Sequence, residues 1–157
     1  MLIKIISFGG HSEKLNEAMQ VRHSVFVEEM GIDPEIDFDG KDIDAIHFLL
    51  YVDDKPTATA RYLELKEGIK IERFAVIKEK RGQALGHLLL RYIVRDALPS
   101  KKTIFVNAPI ALKGFFEYNG FVPEGVPFED SGEEKIKMVY DSKRKKKSLI
   151  TRMFKKK

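Results

Sequence analysis

Ile71-Glu72-Arg73-Phe74-Ala75-Val76, then Ile77 to Lys80, then Arg81-Gly82-Gln83-Ala84-Leu85-Gly86 is the stretch on which the reading of this chain turns. An apolar strand leads through a basic, glycine-containing turn straight into a helix. The first turn of a helix carries N–H groups without intrahelical partners and the positive end of the helix dipole. Arg81 adds charge and Gly82 permits close approach, so the turn suits an anion, and a diphosphate is its natural occupant. It is not a Walker loop, because Gly-Lys-Ser/Thr is missing, and it is not the GxGxxG of dinucleotide-binding folds. A helix start that merely happens to be basic is the bland alternative. Ala84 is expected in the helix's first turn at negative φ, which suits alanine.

Outward from this stretch, turn signals and periodicity order the chain. Leu2 to Phe8 reads as a strand closed by Gly9-Gly10. Leu15, Met19, Arg22 and Phe26 then recur at helical spacing, and one helical face runs to about Glu29. Residues 31–44 form an irregular acidic segment holding Asp33, Glu35, Asp37, Asp39, Asp42 and Asp44. Its spacing is not that of an EF-hand, which needs a glutamate at position 12. Strands follow at 46–52, 57–65 and 69–77, joined by tight turns at Asp53-Asp54-Lys55-Pro56 and Lys66-Glu67-Gly68. A helix over 82–97 shows Leu85, Leu88, Leu89, Ile93 and Ala97 on one face. A strand at 103–107, a short helix at 109–118 and closing strands at 121–122 and 135–140 complete the order. The helix between strands 69–77 and 103–107 makes those two parallel, and the hairpins make the others antiparallel. The fold class is α/β (α+β): a mixed, mostly antiparallel sheet of six or seven strands with a parallel central pair, flanked by helices.

Composition bounds the function. The chain has 157 residues, 43% of them hydrophobic and none of them cysteine, which suits one domain and excludes thiolate chemistry. No metal site is expected. The net charge of +4 is segregated: residues 143–157 carry nine Lys or Arg and no acid, which leaves 19 basic against 24 acidic residues elsewhere. Residues 1–141 read as the domain and 142–157 as a basic, disordered tail able to contact anionic surfaces. The acidic body argues against a specific nucleic-acid partner. With no signal-peptide or membrane-spanning pattern, the expected location is cytoplasmic.

Arg81-Gly82-Gln83-Ala84-Leu85-Gly86 resembles the Arg/Gln-x-x-Gly-x-Gly/Ala pyrophosphate loop of the GNAT acetyltransferases, with Ala84 where that family usually has glycine. Phe115-Phe116-Glu117-Tyr118-Asn119-Gly120-Phe121 resembles the family's Phe-Tyr-x-x-x-Gly-Phe. Arg22-His23-Ser24-Val25-Phe26-Val27-Glu28-Glu29 resembles the Arg-x-x-Val-Phe-Val-x-Glu of its ElaA-like branch. The segment from Asp37 to His47 resembles that branch's acidic loop ending in histidine. The resemblance covers about residues 2–140.

The resemblance implies a direct attack by the primary amine of a small molecule on an acyl-CoA, normally acetyl-CoA. Its pantetheine would lie where strands 69–77 and 103–107 splay, held by the backbone of Phe74, Ala75 and Val76, with Asn107 and Phe116 beside it. N–H groups of Arg81, Gly82, Gln83, Ala84, Leu85 and Gly86 would hold the pyrophosphate. Phe116 stands where the family often has a tyrosine proposed as general acid, and phenylalanine has no proton to give. The thiolate then leaves unassisted or through water, another residue takes over, or the protein binds acyl-CoA without turnover. The first of these is preferred. Glu72, expected to share a strand face with Phe74, and His47 are the candidate bases. Arg22, Phe26, Glu28, Asp39, Arg61 and Arg73 are the candidate acceptor pocket, and the acidic loop suggests a cationic acceptor. A homodimer fits the resemblance. An acyl-homoserine-lactone synthase is disfavoured by the absence of an Arg-Leu-x-Pro-Thr-Thr segment after strand 57–65.

Overall fold

Asp53 and Asp54 both adopt positive φ, 49° and 66°. Two-residue turns of that hand match the twist of a hairpin, and here they join β2 (Ile46–Val52) to β3 (Lys55–Leu65). Gly68, at φ 140°, opens β4 (Gly68–Val76), and a Cβ there would collide with the Thr103 carbonyl that bonds Ile69 N–H. The computed structural model describes residues 1–143, so most of the expected basic tail lies outside the described residues. The remaining elements are β1 (Ile3–Gly9), α1 (Leu15–Arg22), α2 (Pro34–Asp37), α3 (Leu85–Ala97), β5 (Ile104–Pro109), α4 (Lys113–Tyr118), β6 (Phe121–Pro123), β7 (Phe128–Asp130) and β8 (Glu133–Tyr140).

The sheet runs β1-β2-β3-β4-β5-β8-β6, with β7 against β8. Only β4 and β5 are parallel. It has eight strands rather than six or seven. The addition is β7, whose three exposed residues are too few to show a period. One face packs Phe48, Leu50, Ile69 and Ile71 against Leu85, Leu89 and Ile93 of α3. The other packs Leu49, Tyr51 and Ala75 against Val21 and Val25. Leu88, expected on the buried stripe of α3, is 40% exposed. No helix among the described residues is long and apolar enough to cross a membrane.

Two local differences from the sequence reading matter for the site. The first helix is α-helical only to Arg22. His23–Glu29 is wound as a π-helix, with Met30 N–H bonded to the Val25 carbonyl at 3.0 Å. The acidic segment is partly regular: Asp33 caps α2 by accepting from Glu35 N–H at 2.9 Å.

Candidate functional site

Pairing of β4 with β5 stops after three residues, Ile69 with Ile104, Lys70 with Phe105 and Ile71 with Val106. Beyond that point β4 continues to Val76 and β5 to Pro109, unpaired with one another, so the sheet opens. Asn107 is the first residue of β5 past the last pair. On its other side β4 carries a bulge: Arg61 pairs with Glu72 and Thr59 with Ala75, leaving Arg73 and Phe74 opposite Ala60 alone. Arg73 sits at φ 54°, a bulge conformation that favours glycine.

An inserted residue shifts the alternation of side chains along a strand. The expectation that Glu72 and Phe74 share a face therefore fails. Glu72 joins the charged groups on the α1 side, whereas Phe74 packs toward α3 and α4. The Phe74 ring lies 5.6 Å from that of Phe115 and 6.3 Å from that of Phe116. Phe116 is 1% exposed and also meets Phe121 at 5.5 Å, so it is core packing behind Phe74.

At the mouth of the opening lies the anion turn. Gly82 has φ 81° and Ala84 has φ 63°. Ala84 is thus the left-handed residue preceding α3, not a first-turn residue at negative φ as expected, and this is a position for which glycine is the natural choice. The helix's hydrogen bonding starts with Leu88 N–H to the Ala84 carbonyl at 3.1 Å, and no described side chain caps it. The N–H groups of the first turn of α3 therefore have no intrahelical partner. A Cβ on Gly86 would stand 3.4 Å from the Phe115 ring and 3.6 Å from that of Phe74, in ordinary contact, so this position of α3 lies directly against the aromatic pair and larger side chains would press on it.

Arg81 does not project freely. Its guanidinium meets both oxygens of Glu29 at 2.6 Å, and its Nε donates to the Val76 carbonyl at 3.0 Å. The Arg81 hydrogen bond holds the Glu29 carboxyl below its ordinary range, and the Arg81 pKa is raised in return. Glu29 was not among the expected site residues. The signal was available, since Glu29, not Glu28, is the last residue of the Arg-x-x-Val-Phe-Val-x-Glu pattern. Glu28 points into solvent and pairs with His23 at 3.3 Å. Phe26 is half-buried against the smaller core cluster.

Four of the six residues expected around the acceptor converge on the α1 side of β4. Arg22 and Arg61 are 1% and 0% exposed and share Asp42 Oδ1 at 2.6 and 2.7 Å. Arg22 also holds Asp37, by its Oδ1 at 3.1 Å and its carbonyl at 2.8 Å. Arg61 binds both Asp39 oxygens, at 3.1 and 2.6 Å. Arg73 reaches Asp37 Oδ1 at 3.1 Å, Asp39 Oδ2 at 3.2 Å and the Ile36 carbonyl at 3.2 Å, which ties the bulge to α2 and the acidic segment. Burial raises the Asp39 and Asp42 carboxyls, but bonding to Arg61, and for Asp42 to Arg22, outweighs it and holds both below the usual carboxylate range. Asp37 and Asp42 were absent from the expected pocket, although two buried arginines and a partly buried third demand acids. With Asp37, Asp39 and Asp42 bound to arginine, much of the negative charge that suggested a cationic acceptor is neutralised inside the protein.

Glu72 Oε2 lies 3.5 Å from Arg61, 3.6 Å from Arg73 and 3.9 Å from Lys70, while its Oε1 is buried without a hydrogen-bond partner. His47 is 1% exposed, stacks on Phe8 at 5.6 Å and places Nε2 2.8 Å from the Asp42 carbonyl. Burial lowers its pKa, so the ring is neutral and donates to that carbonyl. This arrangement uses His47 to fix the acidic segment on β2. A groove of about 610 Å³ runs between the first helical segment and α2, with Met19, Val27, Glu28, Asp37 and Phe38 in its walls.

A mixed sheet opened at its parallel pair, with an uncapped helix start at the mouth, is the architecture of the N-acyltransferase class. The family described as an acetyltransferase (GNAT) domain matches residues 39–142, and the chain belongs to that family. It is 28% identical over 134 residues to the uncharacterized N-acetyltransferase YjcF of Bacillus subtilis, covering 83% of this chain and 95% of YjcF. It is 30% identical over 139 residues to Escherichia coli ElaA, covering 82% and 90% of the two chains. The crystal structure of Escherichia coli ElaA superposes with a TM-score of 0.79 at 27% identity, over 89% of this chain and all of that one. PaiA N-acetyltransferase of Thermoplasma acidophilum, solved in complex with coenzyme A, shares the fold at a TM-score of 0.65 and 14% identity, over 89% of this chain and 100% of its own.

Proposed function

We propose that the protein transfers an acetyl or other acyl group from acyl-CoA to the primary amine of a small molecule, by direct attack in a ternary complex. The observation that carries this reading is the opening between β4 and β5 beside the uncapped start of α3. The family membership and the coenzyme A complex of PaiA support it. The residues present fit the cosubstrate: backbone of Phe74, Ala75 and Val76 beyond the last β4–β5 pair would hold the pantetheine arm. The N–H groups from Gly82 to Gly86 would hold the pyrophosphate, the Arg81 N–H being bonded to the Lys78 carbonyl at 3.3 Å. Bound acyl-CoA supplies the thioester and its thiol leaving group.

The protein's own contribution is position, polarity and proton handling. In this reading a backbone N–H of β4 beyond its last pair with β5 polarises the thioester carbonyl as a fixed donor that need not reorganise. Holding amine and thioester together supplies much of the acceleration. Glu72 is the base in this reading, its unpartnered Oε1 taking the amine's proton while Oε2 stays against Arg61 and Arg73. The groove beside Asp37 and Glu28 receives the body of the amine.

Calorimetric titration of acetyl-CoA into wild type and Arg81→Glu tests the donor site. Binding that the substitution abolishes supports the reading, and no binding by wild type sinks it. A panel of primary amines, followed by release of free thiol, then tests transfer. Glu72→Gln should cut kcat about a hundredfold or more at unchanged donor affinity, the size of a general-base contribution. A second reading, acyl-CoA binding without turnover, is favoured by Phe116, which offers no hydroxyl and is buried in an aromatic cluster. Donor binding with no thiol release for any amine selects it.

A further inference from the structure

The pair between Glu29 and Arg81 joins two segments 52 residues apart in sequence. Both carboxylate oxygens are engaged at 2.6 Å, the two-pronged geometry that makes arginine–carboxylate pairs strong and specific. Glu29 is presented by an unusual backbone. It ends the π-wound segment His23–Glu29, after which Ile32 N–H closes on the Phe26 carbonyl at 2.8 Å and Gly31 turns the chain at φ 72°. π windings are rare and recur at functional sites. The same segment supplies His23, Val27 and Glu28 to the wall of the groove beside α2. A single ion pair therefore links the acceptor-side wall to the turn read as the donor site.

We propose that Glu29 is an internal counter-anion of the donor site: it holds Arg81 while the turn is empty and gives it up when a diphosphate arrives, loosening residues 23–32. This rests on the reading that coenzyme A places its diphosphate on residues 81–86. Arg81 spends its two terminal nitrogens on Glu29 and its Nε on Val76. It cannot bind a second anion with the same prongs. A diphosphate on the neighbouring N–H groups sets like charges beside the carboxylate, which disfavours having both there. By linkage, whatever clamps residues 23–32 in place opposes donor binding to the same degree.

The test uses coenzyme A and the full chain. By calorimetry, Glu29→Gln should bind coenzyme A about three- to fivefold tighter than wild type, the scale a half-exposed pair supplies. Glu67→Gln, in the turn before β4, removes the same charge far from the site and should leave affinity unchanged. In wild type, saturating coenzyme A should speed amide hydrogen exchange of residues 23–32, a measurement that needs no variant. A purely structural Glu29 would give weaker binding in Glu29→Gln. Equal or weaker binding by that variant, or unchanged or slowed exchange in wild type, overturns the counter-anion alone. No binding of coenzyme A by wild type overturns the donor reading with it.

Discussion

Arg61→Met should unfold the protein far more easily at neutral pH than at pH 4. Arg61 is 0% exposed and makes three hydrogen bonds to carboxylates, with Glu72 a further 3.5 Å away. Methionine keeps much of the length and removes the charge, leaving Asp39 and Glu72 with Arg73 and Asp42 with Arg22. Breaking a buried ion pair from one side costs about 3–5 kcal/mol, because the remaining charge is left uncompensated. That is a large part of the roughly 5–15 kcal/mol that holds a domain folded. For a chain of this size it corresponds to a fall in Tm of about 6–20 °C. The sign with pH follows from the carboxyls. In wild type the folded pKa values of Asp39 and Asp42 are depressed. Their stabilisation is therefore present above the unfolded value of about 3.9 and is lost as pH falls through the folded values. In Arg61→Met the main cause of the Asp39 depression is gone, and only the Lys41 N–H bond and the Arg73 charge still work against burial. Having lost one arginine each, these carboxyls protonate more readily in acid, and the gap between variant and wild type narrows. Urea unfolding at pH 7 and pH 4 measures both terms, and Asp39→Asn added to Arg61→Met should recover part of the loss at pH 7. A deficit below about 1 kcal/mol at pH 7, the range of a surface pair, or a gap that widens in acid, refutes the reasoning.

Ala84→Gly should stabilise the protein by about 0.5 kcal/mol, since relief of a left-handed alanine exceeds the entropic cost of glycine; destabilisation in urea would contradict the assignment of its backbone. Gly86→Val should push Phe115 and Phe74 apart and weaken acetyl-CoA binding at least tenfold while the far-ultraviolet circular dichroism is retained, and unchanged affinity would remove the aromatic pair from the donor site. His47→Gln should flatten the acid side of the stability profile. Wild-type His47 has a lowered folded pKa, so its contribution is present above about 6.5 and falls as pH drops toward the folded value. Tm measured from pH 7.5 to 5 checks this, and parallel profiles for the two proteins would mean that His47 already titrates normally.

The order of elements and the sense of strand pairing were legible because their signals are local. Asp53-Asp54 announces a hairpin, and a helix between two strands forces the parallel pair at β4 and β5. The turn at residues 81–86 before a helix was legible for the same reason, as glycine and arginine sit at fixed offsets from a helix start. The bulge at Arg73 was not, because nothing in Glu72-Arg73-Phe74 marks an inserted residue and arginine is a poor candidate for φ 54°. Its neighbours supply the reason: Ile36, Asp37, Asp39 and Glu72 all hold the Arg73 guanidinium, and those contacts come from residues more than thirty positions away except for Glu72. Glu29 was legible as the last residue of the Arg-x-x-Val-Phe-Val-x-Glu pattern, but the π winding that presents it was not, since an α-helical count cannot foresee one.

The bulge joins what the chain keeps separate. One inserted residue turns Phe74 toward α3 and α4, where it backs the opening beside β5, and leaves Glu72 among the arginines on the other face. Without it, strict alternation would put Phe74 among the charges of the acidic segment and remove the aromatic backing from the donor turn. The acidic segment in turn holds the bulge, because Arg73 keeps its left-handed backbone while Asp37, Asp39 and the Ile36 carbonyl occupy its guanidinium. Much of the acidic segment's charge is therefore better explained by the geometry it imposes on β4 than by attraction of a cationic acceptor. On the proposed function, it is then the apolar walls of the groove along Met19, Val27 and Phe38, rather than the acidic segment, that would meet the body of the acceptor.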